Sequence, residues 1–221
     1  MDRRSAFPAD FELVLASQSP RRHSFLRDIG VPFKVAVSEA DEVLEGESPR
    51  AVAEANALAK LRGAILPEDV MAGAFLLATD TIVAVGDRVM GKAATEEEAA
   101  AMLASLSGRT HQVVSGVALA RTSGRAARGA GAPDEPRFPD AMVEASVTDV
   151  TFISLGEADI DAYVASGEWR GKAGAYAIQG LAGLYSVGIR GEYSNVVGLP
   201  LGLVARMFRE SGFDLVRRTW V

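Results

Sequence analysis

The stretch Ser17-Gln18-Ser19-Pro20-Arg21-Arg22 joins the end of an apolar strand to a Ser-Pro helix start and puts two arginines in the first helical turn. A helix dipole disfavours cations at that end, so arginines there make sense beside an anion. Free backbone N–H groups and guanidinium forks would converge on phosphate. The alternative is a solvated turn with two surface arginines. Ala78-Thr79-Asp80-Thr81 sets an acid between two apolar runs. Charged groups are rarely buried unless paired or metal-bound, so Asp80 reads as a functional carboxylate or as an acid at a strand-to-strand corner. Asp41-Glu42 could offer oxygen ligands to Mg²⁺ or Mn²⁺, or form a solvated acidic loop with Glu45 and Glu47. Lys60 and Lys92 suit either phosphate contacts or plain surface solubility. His111 could be a general base, a metal ligand or a hydrogen-bonded structural histidine; His23 has no assigned role.

Lys172-Ala-Gly-Ala-Tyr-Ala-Ile-Gln-Gly180 combines glycines and small residues with one amide, Gln179. Such a stretch lets backbone pass close to a ligand while the amide reads a base edge, or else packs as a tight loop with an exposed Gln. Several chemistries are excluded. There is no GxxxxGK[ST] phosphate loop, no GxGxxG after a strand, and no Gly-x-Ser-x-Gly elbow. With no cysteine, disulfides, thiolate metal sites and cysteine nucleophiles are absent, and two histidines speak against zinc.

The elements that must position these residues follow from periodicity and punctuation. The 221 residues are 48% hydrophobic and 24% charged, which suits one large domain or two small lobes and is too apolar for disorder. Glu12 to Ala16 reads as a buried strand, and Ser19-Pro20 opens a helix that stops near Gly30. Phe33 to Val37 is a second strand, and Ser48-Pro49 starts a helix running to about Leu66. Phe75 to Thr79 and Ile82 to Val85 are strands, with Gly86-Asp87 turning into Arg88 to Met90. Thr95 with Glu98 forms a capping box for a helix ended by Gly108. His111 to Arg121 and Val143 to Ile153 read as a long antiparallel pair, separated by an exposed, mobile loop over residues 122–140. Gly156 to Ser166 is helical, Tyr176 to Ile189 irregular, and Leu199 to Glu210 a closing helix. The fold class is mixed α/β, since adjacent antiparallel pairs argue against a purely parallel sheet.

Net charge is −6, which disfavours nucleic acid and anionic membrane as partners. The apolar stretch Phe11 to Ala16 is too short for a signal sequence, and Ala72 to Val85 is interrupted by Asp80 and too short for a membrane span. The expectation is a cytoplasmic protein.

Taken in order, Ser17-x-Ser-Pro-Arg-Arg22, Asp41-Glu42, Lys60, Asp80-Thr81, Gly91-Lys92, Ser107-Gly-x-x-His111-x-Val113, Lys172 to Gly180 and Asn195-Val-Val-Gly-Leu-Pro200 resemble the Maf family from about Glu12 to Arg209. The resemblance implies a nucleoside triphosphate pyrophosphatase that cleaves between the α- and β-phosphates with a divalent metal, Mg²⁺ or Mn²⁺. It implies one domain over residues 1–221: an elongated mixed β-sheet flanked by helices, two lobes with a central cleft, related to inosine triphosphate pyrophosphatases. By the same resemblance Asp80 accepts the proton and, with Glu42, holds the metal. Ser17, Arg21, Arg22, Lys60 and Lys92 hold phosphate, and Gln179 reads the base. Arg21, Thr81 and Gln179 side with the branch acting on dTTP and UTP. The 7-methyl-GTP branch shows an aromatic residue, Gln and Glu there. Ala177 in place of the commoner Gly and the long loop are departures. Members are often homodimers. The alternatives are a broader or 7-methyl-GTP pyrophosphatase and a non-catalytic nucleotide sensor in cell division. A sensor needs no base, so Asp80 beside four basic residues favours the enzyme.

Overall fold

Three fully buried aliphatics form β1 (Leu13–Leu15), and the chain leaves it through Ala16 and Ser17 into α1 (Pro20–Asp28). Ser19 is the extended N-cap, and Pro20 is pre-set for the first helical position. The computed structural model describes residues 6–122 and 138–221, so most of the loop expected over residues 122–140 lies outside the described residues. β2 (Lys34–Val35) and β3 (Val37–Ser38) lead to α2 (Pro49–Arg62), where the Ser48 hydroxyl accepts from the Ala51 N–H. α2 stops at Gly63, short of the expected Leu66. The next residues are extended as β4 (Ala64–Ile65), which pairs antiparallel with β3.

β5 (Phe75–Val85) is one strand of 11 residues rather than two pieces meeting at a corner. It runs straight through Asp80 because β7 pairs with it from Phe75 to Ala84. β6 (Arg88–Met90) returns through Gly86, whose φ of 58° suits the tight turn. α3 (Glu96–Leu106) is capped by Thr95, which accepts from the Glu98 N–H; the Glu98 carboxylate takes the Ala94 N–H instead of closing the box. β7 (Thr110–Arg121) and β8 (Met142–Phe152) form the expected antiparallel pair, from Thr110 opposite Thr151 to Leu119 opposite Met142. α4 (Glu157–Ser166) follows. The stretch expected to be irregular holds a 3₁₀ turn (Leu181–Tyr185) and β9 (Ser186–Arg190), which pairs with β8. α5 (Tyr193–Val197) and α6 (Leu201–Glu210) precede the short pair β10 (Phe213–Asp214) and β11 (Thr219–Trp220).

Among the described residues, seven strands make one mixed sheet in the order β2-β1-β5-β7-β8-β9, with β6 also on β5. β1 is parallel to β2 and β5, and the other pairings in this sheet are antiparallel. Side chains alternate along β5. Phe75 and Leu77 join a core with Phe208, Met207 and Phe213 on one face. Leu76 and Ala78 pack with Ala57 and Leu61 of α2 on the other. Each fully buried Phe or Leu here contributes about 1.5–3 kcal/mol.

One feature of the register positions the site. Pairing of β1 with β5 ends at Leu15 opposite Leu77, and pairing of β5 with β6 starts at Val83 opposite Met90. Among the described strands, residues 78–82 of β5 are therefore paired on the β7 side alone. Side chains from both faces of the strand can reach this gap in the sheet.

Candidate active site

Asp80 lies in the middle of β5, 3% exposed, on the face covered by α2. A buried carboxylate is costly unless its oxygens are satisfied. The Lys60 ammonium pairs with Oδ1, and the Asn56 amide donates to Oδ2 at 3.0 Å. Asn56 and Lys60 are four residues apart on α2, so both come from one helix face. Lys60 also reaches Glu42 Oε1 at 2.7 Å, and Lys92 pairs with the same oxygen. Burial pushes the Glu42 pKa up, but hydrogen bonds from Lys60 and Lys92 outweigh it and bring the pKa down to about 2.

Thr79 and Thr81 point to the opposite face, where α1 meets the turn after α5. Arg22 is held there by its own chain: Nε donates to the Gly198 carbonyl at 2.8 Å, Nη1 to Ser17 Oγ at 2.9 Å and Nη2 to Thr81 Oγ1 at 3.2 Å. Thr79 Oγ1 donates to the same carbonyl at 3.0 Å. Gly198 has a φ of 113°, and a Cβ there would stand 3.3 Å from Thr81 Oγ1, so glycine makes this close turn. Burial lowers the Arg22 pKa to about 10, against the attraction of Asp80, and the group stays cationic at neutral pH. Arg21 is tied less closely, through Nε to the Val197 carbonyl at 3.3 Å. His23, which the sequence left without a role, hydrogen-bonds the Ser17 carbonyl at 2.7 Å.

The third wall is the stretch after α4. The Gly174 N–H donates to the Gly91 carbonyl at 2.9 Å, and Ala173 bridges to Lys92, which brings this loop across to the end of β6. Gly174 has a φ of 64°, and a Cβ there would stand 2.8 Å from Val83 Cβ. Behind it, His111 Nε2 and the Tyr176 hydroxyl are 2.9 Å apart. His111 is 1% exposed, burial pushes its pKa down to about 4, and it does not line the cavity. Of the roles open to it in the sequence, the structural one matches this position. Gln179 lines the cavity, and its exposed side chain makes no hydrogen bond among the described residues.

These walls enclose a cavity of about 440 Å³. Ser17, Arg21, Arg22, Glu42, Lys60, Asp80, Thr81, Lys92 and Gln179 all line it, although the sequence separates them by up to 162 positions (179 − 17). Asp41 does not. Three residues without a sequence-assigned role belong to the arrangement. Asn56 grips Asp80, and Arg170 and Lys172 add cations to the cavity wall. Lys172 donates to the Arg170 carbonyl at 3.0 Å; its pKa is lowered by burial and then by the nearby Arg21 charge. Its place just before the small-residue run was the available signal.

Among the described residues no group of three acidic or histidine side chains could hold a metal by itself. Glu42 and Asp80 nevertheless converge on one ammonium, Lys60, which shows that a cation is accommodated between them. Two carboxylates suit Mg²⁺ or Mn²⁺ when phosphate oxygens and waters complete the shell. The donor set fits a divalent metal whose remaining ligands come from outside the protein.

A family model described as Maf-like protein matches residues 12–211. A dTTP/UTP pyrophosphatase of Rhodopseudomonas palustris (strain HaA2) is 43% identical over 215 residues, spanning 95% of this chain and 96% of that protein. One from Nitrobacter winogradskyi is 46% identical over 195 residues, spanning 86% and 87%. A crystal structure of a nucleoside-triphosphatase, dITP/XTP pyrophosphatase, from Mycobacterium abscessus aligns with 64% of this chain and 74% of its own, at 20% identity and a TM-score of 0.34. No helix among the described residues is long and apolar enough to cross a membrane.

Proposed function

The chain belongs to the Maf family, and from that premise we propose that it hydrolyses dTTP, UTP and modified pyrimidine nucleoside triphosphates to the nucleoside monophosphate and pyrophosphate. The observation that carries this reading is the buried Asp80 carboxylate in a cavity whose other charged groups, Glu42 apart, are cations. A triphosphate brings about four negative charges, and a cation-lined cleft concentrates it against the net charge of −6.

Lys60 and Lys92 are already matched by Glu42 and Asp80, whereas Arg21 and Lys172 have no carboxylate partner among the described residues. Arg22 has none either, but its guanidinium is already committed to Gly198, Ser17 and Thr81, so Arg21 and Lys172 are the cations with charge to spare for phosphate. Arg22 and Ser17, bonded to each other, form the floor of the phosphate site. Asp80, its carboxylate oriented by Asn56 and Lys60, takes the proton of a water that attacks the α-phosphorus in line; pyrophosphate leaves. A divalent metal held by Glu42 and Asp80 would supply charge neutralisation at that phosphorus. Gln179, whose side chain makes no hydrogen bond among the described residues, reads the pyrimidine edge. A cytoplasmic homodimer is part of the proposal and rests on the family resemblance.

The test is a panel of dTTP, UTP, 5-methyl-UTP and 7-methyl-GTP with Mg²⁺, Mn²⁺ or chelator, scored for pyrophosphate and monophosphate. Pyrimidine nucleotides should be the better substrates, and Asp80→Asn should lower turnover by at least about 10²-fold. Release of orthophosphate, or a preference for 7-methyl-GTP, overturns the reading. Tight nucleotide binding without any turnover would replace it by the sensor.

A further inference from the structure

The Asn56 side chain is 2% exposed, and its three hydrogen bonds all concern the active cleft. Its Oδ1 accepts from the Val43 N–H at 2.8 Å, and its Nδ2 donates to the Val43 carbonyl at 2.9 Å and to Asp80 Oδ2 at 3.0 Å. The orientation of the amide is fixed by this set, since a flipped amide would face the Val43 N–H with its own N–H₂. Val43 sits beside Glu42 on a loop that is largely exposed. One buried amide thus ties the Glu42 loop to α2 and to the carboxylate of Asp80.

We propose that Asn56 is a positioning residue for hydrolysis: it sets the spacing of Glu42 and Asp80 and turns the Asp80 carboxylate toward the cleft. This rests on the pyrophosphatase reading above. The reason is geometric. Asp80 Oδ2 has Asn56 as its hydrogen-bond donor, while Oδ1 has Lys60. Without Asn56 the carboxylate would be held at one oxygen, and the Glu42 loop would lose the side-chain anchor at Val43. Displacement of a reacting group by about 1 Å can cost on the order of 10²-fold in rate.

The test uses Asn56→Leu, which keeps bulk and removes all three bonds. With dTTP, kcat should fall about 10-fold or more while KM changes by less than about 3-fold, because orientation rather than binding is lost. In amide exchange, the Val43 N–H of the wild type should be protected although its side chain is exposed, and that protection should vanish in the variant. In an Asp80→Asn background the Asn56 change should have little further effect on residual turnover, since one group acts through the other. Should Asn56→Leu fail to fold, Asn56→Ser carries the same readouts. A folded variant with kcat within about 3-fold of wild type, or fully additive losses in the double variant, overturns the proposal. A wild type inert toward every nucleotide would instead remove the functional reading, while Val43 exchange would still report whether the clamp exists.

Discussion

Asp80 and Gly116 stand directly opposite each other across β5 and β7, and residues so paired point to the same face of the sheet. A Cβ on Gly116 would stand 2.0 Å from the Ala53 carbonyl oxygen of α2. The missing side chain lets the helix backbone rest on β7 one strand away from the carboxylate. That height is what allows Asn56 and Lys60, one and two turns further along α2, to reach Asp80.

Gly116→Ala should therefore act on stability and on chemistry together. The obstructing atoms are helix backbone, which cannot swing aside as a side chain can. Overpacking of this kind costs about 1–3 kcal/mol, a loss of roughly 2–12 °C in Tm for a chain of this size. Turnover should drop further than the fraction folded, because lifting α2 loosens both contacts to Asp80. Calorimetry and a turnover assay on the same sample check this. An unchanged Tm would mean that α2 is not held at this height by Gly116.

Arg21 and Arg22 should separate although they are neighbours. Arg22→Ala leaves Gly198, Ser17 and Thr81 without their guanidinium partner and should destabilise by about 1–3 kcal/mol. Arg21 makes one long bond to a carbonyl, so Arg21→Ala should raise KM for dTTP while Tm stays nearly constant. Equal losses of stability in the two variants would contradict the division of labour drawn from these bonds.

Asp80, Arg21, Arg22 and Gln179 stood out because each is chemically odd for its place: a charge within an apolar run, arginines at a helix start, a Gln in a small-residue loop. Glu42, Lys60 and Lys92 are ordinary surface types, and only the family resemblance singled them out. The order of elements was legible for the usual reasons of period and punctuation. The sequence, however, splits β5 into Phe75 to Thr79 and Ile82 to Val85, since one charge at Asp80 breaks the apolar pattern of a strand. Pairing with β7 along almost the whole of β5 overrides that local signal. Asn56 and Gly116 could not be found the same way. Asn56 is an ordinary residue in an alanine-rich helix, and it matters only because the sheet places Asp80 beneath it. Gly116 is one glycine in a strand until the helix above it is known.

His111 gives a pH dependence with a definite sign. Its ordinary pKa of 6.5 falls to about 4 in the folded protein, because burial disfavours the imidazolium. Above about pH 6.5 it is neutral in both states. As pH drops toward 4 the unfolded chain gains a proton that the folded chain does not, so stability is lost over that window. The shift corresponds to about 3 kcal/mol. Urea denaturation at pH 7.0, 5.5 and 4.5 should show the decline, and His111→Gln should flatten it whatever its stability at pH 7. An equally steep decline in the variant would assign the effect to other groups.

Selectivity offers the most discriminating prediction. Gln179 is exposed and makes no hydrogen bond among the described residues, so Gln179→Glu should leave Tm unchanged and alter substrate recognition alone. The amide presents a donor and an acceptor together, which suits the carbonyl and N–H of a uracil or thymine edge. An ionised carboxylate can only accept, so it suits the adjacent N–H donors of guanine. The cost in transition-state binding to dTTP and UTP should be about 1–3 kcal/mol, a fall of roughly 5- to 150-fold in kcat/KM. The loss for 7-methyl-GTP should be smaller, even if the single change creates no new activity. Thr81 Oγ1 already contacts Arg22 and Ser115, so a change at Thr81 should act through the seating of that arginine. Changing Arg21 and Thr81 together with Gln179 should move the preference further than Gln179 alone. If Gln179→Glu leaves the ratio of dTTP to 7-methyl-GTP turnover where it was, the base is read by another wall of the cleft.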